Sequence, residues 1–278
     1  MPNNEPNSQS NIKADQTEPV GLAVVICTFN NIRTIEPVLE SIAPIADRIV
    51  IVDSGSTDET LEIVAKYNTK VIHRPWPGPV DQKQFAIDTS PDARWVLLLD
   101  SDEIIEPTLQ RALAKAVADD DPSVDGWTIN RIVRMFGTDL LHTYQPERRL
   151  RLIRGGIGQV VGIGPEGKGG HDRIDIAGKV GNLEGNCIHD SWADLDAMMQ
   201  QHMNFARRAA LYNPKGGRAI DILTRPPIAM FKQYVLKQGF RDGKAGFFAS
   251  ATVFCGTLMK HLYIARQKWI HREEEINR

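Results

Sequence analysis

Cysteine is scarce in this chain. Its 278 residues include only three, Cys27, Cys187 and Cys255, and their number is odd and their spacing wide. They show neither a disulfide pattern nor a metal-ligand pattern. The scarcity fits a reducing compartment, and Cys27, which lies inside an apolar run, is expected to be a small core residue.

The first 18 residues lack an apolar segment. They are polar and rich in Asn, Gln and Ser, so we expect a disordered tail over residues 1–20 and no secretory signal peptide.

The C-terminal part of the chain lacks a long uncharged apolar run. The uncharged run Ala245–Met259 is shorter than the ~20 residues that span a bilayer.

Acidic residues are rare in the C-terminal segment. Between Met198 and His271 there are twelve Lys and Arg but only two acids, Asp221 and Asp242, although the whole chain has a formal net charge of −2. Such a segment indicates an anionic partner, either a membrane surface or a phosphorylated glycan. A solvated basic face is the alternative. The uncharged run inside it is either an interfacial membrane helix or a helix that packs on the catalytic domain or on a second subunit.

The first half of the chain alternates short apolar runs with amphipathic segments. The apolar runs predict buried strands at Leu22–Cys27, Arg48–Val52, Lys70–His73 and Trp95–Leu99. A helix is expected after each, the last one beginning at Pro107. Short connections between strands and helices imply an α/β fold with a parallel sheet and right-handed crossovers.

The pattern changes after about residue 125. Alternating apolar residues predict half-buried strands at Trp127–Val133 and Arg149–Ile153. The glycine-rich stretch 155–170 indicates a loop, and Ser191–Asp194 resembles a capping box that opens a long helix ending near Tyr212.

Polar side chains follow three of the predicted strands. Thr28 and Asn30 come after the first strand, Asp53 after the second, and Asp100 and Asp102 after the fourth. In open α/β sheets, ligands bind beyond the carboxyl ends of the strands. A single Asp at a strand end is more often a helix cap. Three strand ends at one rim instead favour a site for a divalent cation and its phosphate ligand.

Three motifs resemble those of family 2 glycosyltransferases: Ala23–Asn31, Ile51–Asp58 and Leu98–Glu103. The resemblance runs from about Leu22 to Trp269 and is strongest to a lipopolysaccharide-core, beta-1,4-glucosyltransferase-like branch, through His73–Gly78, Gln82–Ala86 and Leu236–Gly243. It implies a GT-A-type fold, a mostly parallel nucleotide-binding sheet flanked by helices. The expected division is a catalytic domain (21–190), with a nucleotide-binding half (21–125) and an acceptor half (126–190), and a helical basic extension (191–278).

The resemblance also implies a donor site. A nucleotide sugar, with uracil the expected base, would be bound by Thr28, Asn30, Asp53, Lys83, Asp100 and Asp102. Asp102 would also bind Mg²⁺ or Mn²⁺. Relatives often carry an acid at the position of Asn31, so this chain departs from them there.

The resemblance implies a catalytic base at Asp172, because relatives have a His-Glu pair at the position of Gly170-His171-Asp172. A carboxylate in a closing cleft can accept the proton of the acceptor hydroxyl. A turn role for Asp172 is the alternative, with Glu147 and then Asp190 as other candidate bases. Acceptor contacts are expected at Glu147, Arg151, His171 and His189.

Together these features predict an inverting, metal-dependent enzyme that moves a hexose from a nucleotide sugar to a glycan or glycolipid. Lipopolysaccharide or cell-surface polysaccharide synthesis is the expected setting, in the cytoplasm at the inner face of the membrane, with no nucleic-acid partner. A homo-oligomer is left open. The alternatives are a polyprenyl-phosphate sugar synthase of the same fold and a non-catalytic sugar-nucleotide-binding scaffold.

Overall fold

The computed structural model describes residues 20–163, 171–212 and 214–276, so the predicted tail lies almost entirely outside it. The strands are β1 (Leu22–Thr28), β2 (Arg48–Asp53), β3 (Thr69–His73), β4 (Trp95–Asp100), β5 (Glu103–Ile105), β6 (Gly126–Met135), β7 (Thr138–Asp139), β8 (Arg148–Arg154), β9 (Gln159–Ile163), β10 (His171–Asp175) and β11 (Val180–Trp192). The helices are α1 (Ile35–Ile42), α2 (Thr60–Val64), α3 (Pro79–Asp88), α4 (Pro107–Asp119), α5 (Leu195–Tyr212), α6 (Ala219–Phe231) and α7 (Gly243–Ile276).

One mixed sheet forms the centre of the molecule. Its strand order is β3-β2-β1-β4-β8-β6-β11-β5, and β7 pairs with β6. Strands β5, β7 and β8 run against the direction shared by the others. The predicted α/β fold, with a mostly parallel sheet flanked by helices, is confirmed.

The sheet is buried on both faces because its central strands are apolar on both sides. In β1, Leu22, Val24 and Ile26 belong to a core cluster with side chains of α1, α2 and α4. Ala23 and Val25 belong to a second cluster, on the other face, with α3 and the β9–β10 hairpin. Burial on both faces explains why these strands read as continuous apolar runs.

Two predictions in the second half are wrong. The glycine-rich stretch is not a loop throughout, since Gln159–Ile163 forms β9 and pairs antiparallel with β10, while residues 164–170 lie outside the described part. The helix after β11 begins at Leu195, because Ser191 still belongs to the strand. Asp194 caps that helix, its Oδ1 accepting the N–H of Ala197 at 2.8 Å.

The apolar C-terminal helical segment is longer than the uncharged run Ala245–Met259. After α6 the chain forms a π-helical turn, Lys232–Leu236, and a 3₁₀ turn, Gly239–Asp242, before α7. Among the described residues, the stretch Gly239–Ile270 is long and apolar enough to cross a membrane by length and composition. Core helices of soluble proteins can meet the same criterion, but only 28% of the apolar window here is buried.

Candidate active site

The strand ends meet at one rim of the sheet, as predicted. In the strand register Thr28 is the neighbour of Asp53, and Cys27 is the neighbour of Asp100. A cleft of about 660 Å³ opens at this rim. It is lined by seven of the predicted site residues: Thr28, Lys83, Asp100, Asp102, Glu147, Asp172 and His189.

Asp100 is held between two cations. Lys83 Nζ lies 2.7 Å from its Oδ1, and Arg151 Nη2 lies 2.7 Å from its Oδ2. Burial alone would raise the pKa of Asp100, but attraction to Lys83 and then Arg151 outweighs it and holds that pKa well below the ordinary value. Asp100 is therefore ionised throughout the physiological range.

Lys83 joins two segments that are distant in sequence. Its Nζ also lies 3.0 Å from Asp172 Oδ2, so one ammonium bridges the end of β4 and strand β10. Burial lowers the pKa of Lys83, but attraction to Asp100 outweighs this and the pKa is raised. The charged lysine thus keeps the Asp172 carboxylate in the cleft.

Asp102 faces a histidine from another strand. Its Oδ2 lies 3.4 Å from Nε2 of His189 on β11, and its backbone carbonyl accepts the N–H of Asp190 at 2.9 Å. Asp190 in turn pairs with Arg33, whose Nη1 is 2.9 Å from its Oδ1. The loop between β4 and β5 is therefore fixed against β11.

The side chain of Asn31 contacts the loop that follows β4. Its Nδ2 donates to Ser101 Oγ at 2.6 Å, and its Oδ1 accepts the Thr34 hydroxyl at 2.6 Å. Thr34 Oγ1 also lies 2.9 Å from the carbonyl oxygen of Ser101, so its single proton has two acceptors within reach. Asn31 therefore supports Ser101, the residue between Asp100 and Asp102, and this role needs a donor as well as an acceptor.

Asp53 and Asn30 shape the rim but do not line the cleft. The Asp53 side chain is completely buried and accepts N–H groups of Gly55 and Ser56 at 2.9 and 3.1 Å. Asn30 has φ +47° and accepts the Thr57 N–H through its side chain at 2.8 Å. The side chains of Asn30 and Asp53 thus stabilise turns. Direct contact of either residue with the nucleotide-sugar donor stays a prediction.

A buried network under the cleft was not predicted. Glu103 is completely buried, and its carboxylate accepts Arg151 Nη2 at 2.5 Å, Arg131 Nη1 at 3.1 Å and the backbone N–H of Asp100 at 3.1 Å. Arg151 is thus buried beneath the cleft and engaged by two carboxylates. The sequence signal for Glu103 was its place directly after the Asp-Ser-Asp run.

Glu147 is strongly engaged by arginines. Arg131 Nη2 lies 2.5 Å and Arg149 Nη2 2.8 Å from its Oε1. Burial raises its pKa, but the hydrogen bond and charge of Arg131, followed by those of Arg149, bring the pKa of Glu147 down to about 2. Such a carboxylate is a weak proton acceptor near neutral pH.

Aromatic side chains also line the cleft and were not predicted as site residues. They are Phe29, Trp76, Tyr144, Trp192 and Phe205. Phe29 and Trp76 are more than half exposed, which leaves their faces available for stacking on flat rings.

For the predicted acceptor residue His171, only the backbone is described. It belongs to β10, and the side chain lies outside the described part of the structure.

A metal site made by protein side chains alone is not seen in the described residues, which contain no group of three or more His, Cys, Asp and Glu suited to a metal. The chemistry of Asp102 and His189 nevertheless fits Mg²⁺ or Mn²⁺. Such ions commonly take one or two protein ligands and complete their shell with phosphate oxygens and water.

The comparisons with known proteins agree with this fold. A model of "Glycosyl transferase family 2" matches residues 23–164, about half of the chain. The chain is 30% identical over 244 residues to "Lipopolysaccharide core biosynthesis glycosyltransferase LpsC" of Rhizobium meliloti strain 1021, covering 83% of this chain and 86% of LpsC. These matches define a glycosyltransferase. The chain belongs to family 2 of these enzymes, as the sequence motifs predicted.

Other relatives are more limited. An uncharacterized glycosyltransferase of Rickettsia bellii is 39% identical over 89 residues, which are 32% of this chain and 30% of that protein. Among solved structures, S. aureus TarS 1–349 has a TM-score of 0.43 at 16% identity, covering 89% of this chain and 91% of that one. At this similarity the structural match supports no inference about substrates.

Proposed function

We propose that this glycosyltransferase moves a sugar from a nucleotide-sugar donor, expected to be a UDP-hexose, to a hydroxyl of a glycan or glycolipid acceptor, in a metal-dependent inverting reaction. The observation that carries the proposal is that Asp100, Asp102 and Asp172, from the end of β4, the next loop and β10, line one cleft. The name of the relative LpsC supports lipopolysaccharide synthesis as the setting.

The donor would bind at the rim of the sheet. Thr28 lines the cleft, and its Oγ1 has no hydrogen-bond partner among the described residues, so this hydroxyl would contact the bound nucleoside. Trp76 and Phe29 offer apolar faces for the base or the sugar. Lys83 places a positive charge where the donor's diphosphate needs one, while it remains paired with Asp100.

Asp102 and His189 would hold the divalent cation. When bound, the cation would neutralise the charge that develops on the departing nucleoside diphosphate. Asp102 is suited to this position because its carboxylate is the second acid of the Asp-x-Asp run and lies in the cleft, whereas Asp100 is already neutralised by two cations.

Asp172 would accept the proton of the attacking hydroxyl. Its side chain lines the cleft and, among the described residues, pairs with the ammonium of Lys83 at 3.0 Å. Glu147 is less suited, because two arginines stabilise its ionised form and lower its proton affinity. Glu147 and its arginines would instead contact the acceptor.

The metal role is tested with Asp102→Asn, which keeps the shape of the side chain but removes its charge. We expect Mn²⁺-dependent hydrolysis of UDP-glucose to fall by on the order of 100-fold, since a metal ion stabilises the transition state by several kcal/mol. Donor binding with and without Mn²⁺ is measured by calorimetry on the same samples. Asp119→Asn, on the surface outside the cleft, is the matched control. Unchanged metal dependence in Asp102→Asn would show that this assignment is wrong.

The C-terminal helices would hold the enzyme peripherally at the cytoplasmic face of the membrane. Large apolar side chains along α6 and the following turns are exposed, including Leu223 (72%), Phe231 (53%) and Leu236 (66%). Lys232 lies in the same segment and Lys244 follows it, and both are exposed and suit an anionic surface. Packing against a second subunit is the competing explanation for this exposed surface.

Flotation with phosphatidylglycerol vesicles tests this membrane contact. We expect the wild-type protein to float and Phe231→Ser/Leu236→Ser to float several-fold less, because two apolar anchors are lost. Raising the salt should also weaken flotation, since the Debye length falls from about 10 Å at 0.1 M to about 3 Å at 1 M. Val71→Ser, an exposed apolar position on β3, is the control. A wild-type protein that stays with the unbound fraction would favour packing on a second subunit.

A further inference from the structure

An open groove of about 560 Å³ adjoins the cleft and shares Lys237 with it. Three basic side chains line this groove: Arg148 from β8, and Lys237 and Arg241 from the turns between α6 and α7. None of the described residues that line it is acidic. We call this region the basic groove.

The cations of the basic groove have only neutral partners among the described residues. Lys237 Nζ donates to the carbonyl of Gln145 at 3.0 Å, and Arg241 Nη1 donates to Gln238 Oε1 at 2.9 Å. Arg148 Nη1 is 3.4 Å from the carbonyl of Leu183. Three like charges around one groove repel one another, and an anion placed there would relieve that repulsion.

The arginines next to the cleft are different. Each of them is matched by a carboxylate: Arg131 by Glu103 and Glu147, Arg149 by Glu147, and Arg151 by Glu103 and Asp100. Uncompensated charge is therefore a property of the basic groove and not of the whole surface around the cleft.

A buried aspartate fixes the groove in place. Asp242, with a side chain 2% exposed, accepts the backbone N–H groups of Leu141, His142 and Thr143 at 3.1, 3.1 and 2.7 Å. Its Oδ1 also lies 2.8 Å from Nδ1 of His142. Asp242 thus connects the turn that carries Lys237 and Arg241 to loop 141–145. Both oxygens of its carboxylate are engaged in that contact.

The packing of this turn requires a glycine. A Cβ added to Gly239 would lie 2.7 Å from Thr143 Oγ1 and 2.8 Å from the carbonyl of Gln233. This close approach and the Asp242 contacts explain why the segment Leu236–Gly243 contains Gly239 and Asp242. The segment positions basic side chains beside the cleft.

We propose that the basic groove binds a phosphate group carried by the acceptor glycan and thereby orients the acceptor hydroxyl in the cleft. The inference rests on the proposed glycosyl transfer. Two arginines suit phosphate because the guanidinium group donates paired hydrogen bonds to its oxygens. A phosphate on the glycan is favoured over a lipid headgroup because Lys237 lines both the groove and the cleft.

Phosphate binding is tested on the full chain without metal or donor. Calorimetry with glucose 6-phosphate and with inorganic phosphate should show binding to the wild type. Affinity should fall by about tenfold for each cation removed, in Arg148→Gln and Arg148→Gln/Arg241→Gln. Arg111→Gln/Lys115→Gln is the control, because that pair lines a different surface pocket which also contains acids. We call Arg148→Gln/Arg241→Gln the groove variant. Equal phosphate affinity in the wild type and the groove variant, or an equal loss of affinity in the control, would overturn the proposal.

A second arm distinguishes the two sources of phosphate. Vesicles made from equal parts of phosphatidylcholine and phosphatidylglycerol should float the groove variant as well as they float the wild type. A flotation loss as large as the loss of glucose 6-phosphate binding would assign the groove to a lipid headgroup and overturn the glycan assignment. Phosphate binding needs no turnover, so its failure is separate from a failure of metal-dependent donor binding, which would overturn the proposed function.

Discussion

Replacing Asp172 by asparagine is expected to lower sugar transfer by about 10²–10⁴-fold, the usual contribution of a general base. The amide keeps the size of the side chain and can still accept a hydrogen bond from Lys83, but it cannot take up a proton. Donor binding should persist, because Asp100 continues to neutralise Lys83 at 2.7 Å. Steady-state transfer and calorimetric donor binding measure the two effects on the same protein.

Two further variants make this test specific. Asp175→Asn lies on the same strand and removes an exposed carboxylate that pairs only with Arg173 among the described residues, so transfer should be unchanged. Asp172→Glu restores the carboxylate one methylene further out and should recover part of the lost rate. Transfer at the wild-type rate in Asp172→Asn would remove this residue from the base role.

The first half of the fold could be predicted because its signals are local. Strands β1, β2 and β4 are apolar on both faces, and each leads to a helix, β4 by way of the short strand β5. The parallel order and the shared rim of Thr28, Asp53 and Asp100 therefore follow from general rules. Strand β11 gave no such signal. It contains Gly181, Gly185 and several polar residues, and it is identified as a strand only by its pairing with β6 and β5.

The site could be predicted only in part for the same reason. The cleft residues Asp100, Asp102 and Lys83 stand in motifs that can be recognised along the chain. The partners of Glu103 depend instead on strand order, because β8 inserts between β4 and β6 and brings Arg151 and Arg131 to one carboxylate. Neither local periodicity nor composition carries that information, and the basic groove likewise depends on a contact between loop 141–145 and the turn before α7.

Replacing Glu103 by alanine should cause a large loss of stability. Glu103 is completely buried and is the shared acceptor of Arg151, Arg131 and the backbone N–H of Asp100. Its removal leaves the buried side chains of Arg151 and Arg131 with one carboxylate each, Asp100 and Glu147, and breaking one side of a buried ion pair costs about 3–5 kcal/mol. Urea unfolding followed by circular dichroism measures the change in the free energy of unfolding. Glu103→Gln keeps the shape and an acceptor oxygen, so its loss should be smaller.

The matched comparison is an exposed ion pair. Glu36 pairs with Lys66 at 3.2 Å with side chains 41% and 60% exposed, so Glu36→Ala should change the free energy of unfolding by only about 0–1 kcal/mol. Equal, small losses of stability in Glu36→Ala and Glu103→Ala would show that the buried network does not hold the cleft floor.

The loss of Glu103 also has a functional consequence, because in Glu103→Ala protein Arg151 has Asp100 as its remaining described carboxylate partner. A stronger pull of Arg151 on Asp100 would weaken the contact of Asp100 with Lys83. Glu103→Ala protein that remains folded should therefore bind the nucleotide-sugar donor less tightly than Glu103→Gln protein.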